Sequence, residues 1–284
     1  MRPGKVIVLL LAVAAAFALA ACSGKESDSV KRRLMVGIPA QKMLLEAIAG
    51  PDFEVESLFD AGTDPETIEP SMTRLRALGE SEAYFKVGGF PVEEALLARV
   101  QQGGQKLNII DTGAEITRLA DKAHGSGGDP HIWTSPANLR KMAAPMLAEL
   151  ARLNPDAEQA YAERYAALQK RLEALERQCA ARLRPHKGKA VVVWHPSLGY
   201  FARDFGLRQI ALEPDGKEPT PRQMRDALEE ARNAGAAVVA TETGHSRERS
   251  EAVAGELGTK NIEINLLAED IIAQINAIAD AIAR

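Results

Sequence analysis

Two loosely repeated blocks of alternating strand and helix flank one long stretch that contains no helix breaker. Together they predict an α/β protein of two similar lobes with parallel-type sheets, joined by a single long α-helix. The blocks run from Leu34 to Gly89 and from Lys189 to Gly244. Each places a proline just past its first strand, Pro39 and Pro196, and a Glu-Pro pair before the helix that precedes its last strand, Glu69-Pro70 and Glu218-Pro219.

The elements follow in chain order. Residues 1–21 read as an export signal: Arg2 and Lys5 precede sixteen residues, Val6 to Ala21, without a polar side chain. That run is shorter than the roughly 20 residues a spanning helix needs. It ends at Leu19-Ala20-Ala21-Cys22 before polar Ser23-Gly24-Lys25, which resembles a bacterial lipobox, so Cys22 is the expected acylated first residue and 22–31 a tether.

The first lobe, 32–154, reads as strand MVGIPA, an amphipathic helix, strand FEVESLF, the segment GTDPETIEPSMTRLRAL with a helix, strand AYFKVGG, and a later strand KLNII. A helix is expected from near Pro136. Asn154-Pro155-Asp156 then starts the linking helix, 155–184, with an N-cap Asn and Pro at the first helical position. Its apolar stripe runs through Ala157, Tyr161, Tyr165, Leu168, Leu172, Leu175, Cys179 and Leu183, at steps of mostly four and three. Burial on that stripe accounts for the unpaired Cys179. Thirty residues of helix reach roughly 45 Å, more than a compact lobe needs and enough to span two. The second lobe, 188–284, reads as strand KAVVVWHPS, helix YFARDFG, strand RQIALEP, helix GKEPTPRQMRDALEEA and strand AAVVATETG.

Charge and motifs exclude several functions. The 284 residues carry 35 Lys and Arg against 39 Asp and Glu, a net −4, and no basic block exceeds Lys31-Arg32-Arg33, so nucleic acid is not an expected partner. Loss of Arg2 and Lys5 makes the exported body more acidic still, leaving the lipid as its only membrane contact. GxSxG, P-loop, HExxH and strand-following GxGxxG motifs are absent.

Ligands of open parallel sheets sit beyond the carboxyl ends of the strands, so loop residues there are the candidates. His195 ends the strand AVVVWH. His131 lies in GGDPHIWTSP, with Asp129 close enough to orient its ring. On spacing alone His131 reads rather as a loop histidine bonded to backbone, while His195 reads equally as a ligand and as an ordinary strand-end histidine. Glu66 occupies the loop GTDPETIEPS. His124 in KAHGSGGD and His186 in RPHKG read as solvated, and His245 sits at a further strand end.

The strings GTDPETIEPS, DPHIWTSP, HPSLGYFARDFGL, GKEPTPRQM, TETGHSRERSEAVAGELG and NIEINLLAED, in this order, resemble the zinc/manganese-type substrate-binding lipoproteins of bacterial ATP-binding-cassette importers. The resemblance runs from about Arg33 to the end. It implies a non-enzymatic, monomeric, exported lipoprotein that faces the periplasm or cell exterior and delivers a divalent ion to an ABC-type import permease. It also implies metal ligands at Glu66, His131, His195 and Asn265. Glu66 stands where an imidazole is usual and Asn265 where an aspartate is, giving two nitrogens, one carboxylate and a neutral amide. That set favours zinc and accommodates manganese or ferrous iron. Two alternatives follow from the departures: a degenerate accessory or adhesin lipoprotein without metal, and a lipid-anchored zinc hydrolase with Glu66 as base. His124 and His245 are left as possible assistants.

Overall fold

The computed structural model describes residues 32–104, 106–120, 123–213 and 217–284. The export signal, Cys22 and the tether lie outside the described residues. Among the described residues, no helix is long and apolar enough to cross a membrane.

The first lobe contains β1 (Arg32–Val36), α1 (Pro39–Ala49), β2 (Phe53–Ser57), α2 (Met72–Gly79), β3 (Ala83–Lys86), α3 (Pro91–Gln102), β4 (Asn108–Asp111) and α4 (Pro136–Leu153). The second contains β5 (Ala190–Val193), α6 (Gly199–Phe205), β6 (Arg208–Ala211), α7 (Pro221–Asn233), β7 (Val238–Glu242), α8 (Arg247–Leu257), β8 (Lys260–Ile264) and α9 (Ile271–Ala283). Between them runs α5 (Glu158–Leu183), entered by a tight 3-10 turn at Pro155–Ala157 and followed by another at Arg184–His186. The α-helical hydrogen bonding thus begins three residues later than the Asn-Pro start predicts.

Among the described residues all strand pairings are parallel. The orders are β2-β1-β3-β4 and β6-β5-β7-β8, the same topology twice, which is what the repeated blocks imply. Each order reverses beside its first strand, so the loops leaving β1 and β3, and β5 and β7, flank a crevice at the carboxyl edge.

Tyr161, Leu168, Leu172, Leu175, Cys179 and Leu183 form the buried stripe of α5. The helix packs on α1 and α4 in one lobe and α9 in the other. Polar contacts fix its ends. The Tyr161 hydroxyl donates to Asp52 (2.8 Å) and Arg164 to the Ala49 carbonyl (2.9 Å), while Arg182 donates to Asn276 (2.6 Å) and pairs with Asp280. One hydrophobic core therefore runs from Leu34 and Val36 through Leu172 and Cys179 to Val191 and Val193. The alternate residues of β5, Ala190 and Val192, face a second, smaller core with Leu228 and Val239, as the two-residue period of a strand requires.

Cys179 is fully buried, and burial pushes its thiol above the ordinary range. A thiol reagent is expected to leave it unmodified in the folded protein and to label it in urea. Rapid labelling of the native chain would contradict its place in the core.

Candidate metal centre

The crevice between the two sheet edges holds a cavity of about 390 Å³ lined by residues of both lobes. Glu66 reaches it from the loop after β2. Asp64 shapes that loop: its side chain accepts from the Glu66 amide (2.9 Å) and the Thr67 hydroxyl (2.7 Å). His131 arrives from the segment after β4, just ahead of a 3-10 turn at Ile132–Thr134, and its carbonyl accepts from the Thr134 hydroxyl (2.9 Å). His195 lies two residues past β5, where its carbonyl accepts from the Ser197 amide (2.9 Å).

Three imidazoles converge on one carboxylate oxygen. Glu66 Oε1 lies 2.8 Å from His124 Nε2, 3.1 Å from His195 Nε2 and 3.5 Å from His131 Nε2. The three ring centroids are mutually 5.1–5.3 Å apart, and one donor atom from each of the four residues lies within 4.8 Å of the others. Tetrahedral zinc with donors near 2.1 Å sets them about 3.4 Å from one another, so small side-chain adjustments would seat an ion.

His124 corrects the expectation of a solvated loop residue. Only 7% of its side chain is exposed. His186 is half-buried in the turn after α5, its Nδ1 without a hydrogen-bond partner among the described residues. Asn265, at the end of β8, lines the same cavity, with its Oδ1 accepting from the Leu267 amide (3.0 Å). His245 also lines the cavity. So does Glu242, the last residue of β7, which sequence reasoning missed; it accepts a hydrogen bond from the Ser197 hydroxyl.

The electrostatics prepare the cluster for a cation. Burial opposes ionisation of Glu66, yet hydrogen bonds from His124 and His195 and the nearby charges of His131 and His195 outweigh it, holding the carboxyl well below the usual carboxylate range. Burial alone would lower the His195 pKa, but the Glu66 hydrogen bond and the charges of Glu66 and Glu242 raise it. Burial lifts Glu242 against its bond from Ser197. Asp129 fixes the His131 ring, accepting from the His131 amide and pairing with Nδ1, both at 2.8 Å. This leaves Nε2 directed at Glu66, the arrangement by which a carboxylate sets the tautomer of a metal-binding imidazole. Phe90 and Trp133 pack against the same ring.

Two parallel sheets carried on one helix, with imidazoles and a carboxylate meeting between their carboxyl edges, define the class of helix-backbone metal-binding proteins. The family described as zinc-uptake complex component A, periplasmic (ZnuA), matches residues 35–283, and the chain belongs to it. It is 27% identical over 281 residues to the zinc-binding lipoprotein AdcA of Streptococcus pneumoniae, covering 93% of this chain and 55% of AdcA. It is 26% identical over 259 residues to the high-affinity zinc uptake system protein ZnuA of Paracoccus denitrificans, covering 78% of this chain and 79% of that protein. A crystal structure of ZnuA superposes with a TM-score of 0.81 at 34% identity, covering 89% of this chain and 98% of the other. The chain spans about half the length of the AdcA relatives it matches. Members of this family are solute-binding proteins of transport systems and not enzymes, so the hydrolase alternative falls away.

Proposed function

We propose that this chain captures one zinc ion between its lobes, using Glu66, His124, His131 and His195, and surrenders it to an ABC-type import permease. The observation that carries the reading is the convergence of three imidazole nitrogens on a single carboxylate. Three nitrogens and one oxygen suit zinc better than manganese, whose preference is for oxygen donors. Four donors also favour metal capture over the degenerate accessory protein. Capture releases protons, because His195 with its raised pKa must be neutral to ligate. Affinity therefore falls as pH drops. The protein is exported and held at the membrane by acylated Cys22, and acts as a monomer.

Calorimetry on metal-free protein tests this directly. The expected result is one zinc per chain, binding more tightly than manganese, with proton release that grows as pH falls from 8 to 6. Absence of zinc binding would overturn the reading. Asn265→Asp places a charged oxygen in the same cavity and is expected to strengthen binding modestly, by a few-fold, since its Oδ1 is already engaged by the Leu267 amide.

A further inference from the structure

The orientation of His131 depends on Asp129, and Asp129 is held from the opposite lobe. Tyr200, on α6, is fully buried and places its hydroxyl between two backbone groups of the first lobe. The hydroxyl donates to the Asp129 carbonyl (2.7 Å) and accepts from the Leu119 amide (3.1 Å). Asp129 and Leu119 are themselves joined, the Asp129 amide donating to the Leu119 carbonyl at 2.8 Å. One phenolic oxygen from the second lobe thus completes a closed hydrogen-bonded neck in the first. Arg118 adds a longer bond to the Asp129 carbonyl (3.3 Å) and ties the neck to the Val87 and Gly88 carbonyls, at 2.9 Å each.

The approach is close on the other side of Asp129 as well. A Cβ at Gly199 would lie 2.8 Å from Asp129 Oδ2, nearer than real Cβ contacts come, so only glycine there leaves the carboxylate its place. The backbone of Asp129 is fixed by Tyr200 and one edge of its carboxylate by Gly199, both from the start of α6. Its other oxygen, Oδ1, takes the His131 amide and ring.

We propose that Tyr200 is a positioning residue of the metal centre, through which the second lobe sets the ring orientation of the first lobe's His131. The proposal rests on the metal-capture reading above. With the hydroxyl in place, Asp129 is immobile and Nε2 of His131 stays on the point where the four donors meet. A tilt that lifts α6 breaks two hydrogen bonds at once and frees the carboxylate that aims the ring. The lobe contact and the strength of the metal site are then one coupled property, and a partner that tilts the lobes loosens the ion without touching it.

Tyr200→Phe tests this, because it removes only the oxygen and keeps the ring, which lies under the Arg203 guanidinium at 5.1 Å. Zinc dissociation should accelerate about tenfold, the scale on which loss of a ligand's supporting partner is felt. Nitrogen-15 NMR on the metal-free protein should show the His131 Nδ1 proton exchanging faster with solvent in the variant. The effect on dissociation should vanish when Asp129→Ala is already present, since that change removes the oxygen through which the backbone position reaches the His131 ring. An unchanged ring proton and an unchanged dissociation rate, or a full tenfold effect in the Asp129→Ala background, would overturn the proposal. Should Tyr200→Phe fail to fold, Gly199→Ala presses the same carboxylate and is expected to change both readouts in the same direction; no change would again overturn it. The ring-proton measurement needs no zinc, so failure of wild-type protein to bind metal would sink the functional reading while leaving the positioning role separately decided.

Discussion

His131→Ala is expected to lower zinc affinity on the order of a hundred- to a thousandfold. Four-donor zinc sites bind with about 10–16 kcal/mol, so each donor carries about 2.5–4 kcal/mol of it. His131 is the donor least able to be replaced. Its residue is 6% exposed, its Nδ1 is committed to Asp129, and the rings of Phe90 and Trp133 pack against it, so removal opens a buried hole away from solvent and takes away a donor whose direction was already fixed. His195, with 19% of its side chain exposed, stands where water can enter and take the vacated position. His195→Ala should accordingly cost less than His131→Ala. Calorimetry on both variants decides the order, and unchanged binding in His131→Ala would remove it from the site.

The repeated blocks and the linking helix were legible because each rests on local pattern, whereas Glu66 entered only through the resemblance, since a loop glutamate signals nothing by itself. Alternation gives the strands. The unbroken apolar stripe gives α5. Position beyond a strand end gives His195, and a neighbouring Asp129 gives His131 its partner. His124 was not legible. In KAHGSGGD it stands among glycines, and nothing nearby in sequence predicts that Tyr200, 81 residues from Leu119 and 71 from Asp129, closes the neck from the other lobe. Glu242 was missed for a related reason: its place in the cavity and its bond from Ser197, 45 residues away, exist only once β5 and β7 stand side by side. In PVEEALL, likewise, two glutamates share a first helical turn, where acid residues are ordinarily solvated and favoured by the helix dipole. Only the fold separates them, leaving Glu94 on the surface and Glu93 with no exposure at all.

That burial produces a large pH effect on stability, tested by Glu93→Gln. The Glu93 carboxyl accepts from the Tyr84 hydroxyl (2.6 Å) and from the Val87 and Gly88 amides (3.2 and 2.8 Å), and a Cβ on Gly37 would sit 2.7 Å from Oε1. Burial outweighs these donors, and with the charge of Glu94 lifts the pKa from 4.5 to about 7. Below pH 4.5 the group is neutral in folded and unfolded chains alike. Between 4.5 and about 7 only the unfolded chain ionises, so folding stability falls as pH rises. Above 7 both forms are ionised and the loss is complete, amounting to about 3 kcal/mol at 1.36 kcal/mol per unit. Glutamine cannot ionise, so Glu93→Gln is expected to gain about 3 kcal/mol relative to wild type between pH 4.5 and 8, whatever its standing at low pH. Glu66 contributes with the opposite sign, its depressed pKa giving stability that is lost on acidification, but it is present in both proteins and cancels from the difference. Urea unfolding of the metal-free proteins at pH 4.5 and 8 measures the effect. Parallel pH dependences would mean that Glu93 keeps its charge in the core. A divergence of the expected size would place a neutral carboxylic acid behind the Val87-Gly88 turn, whose carbonyls hold Arg118 and, through it, the backbone of Asp129.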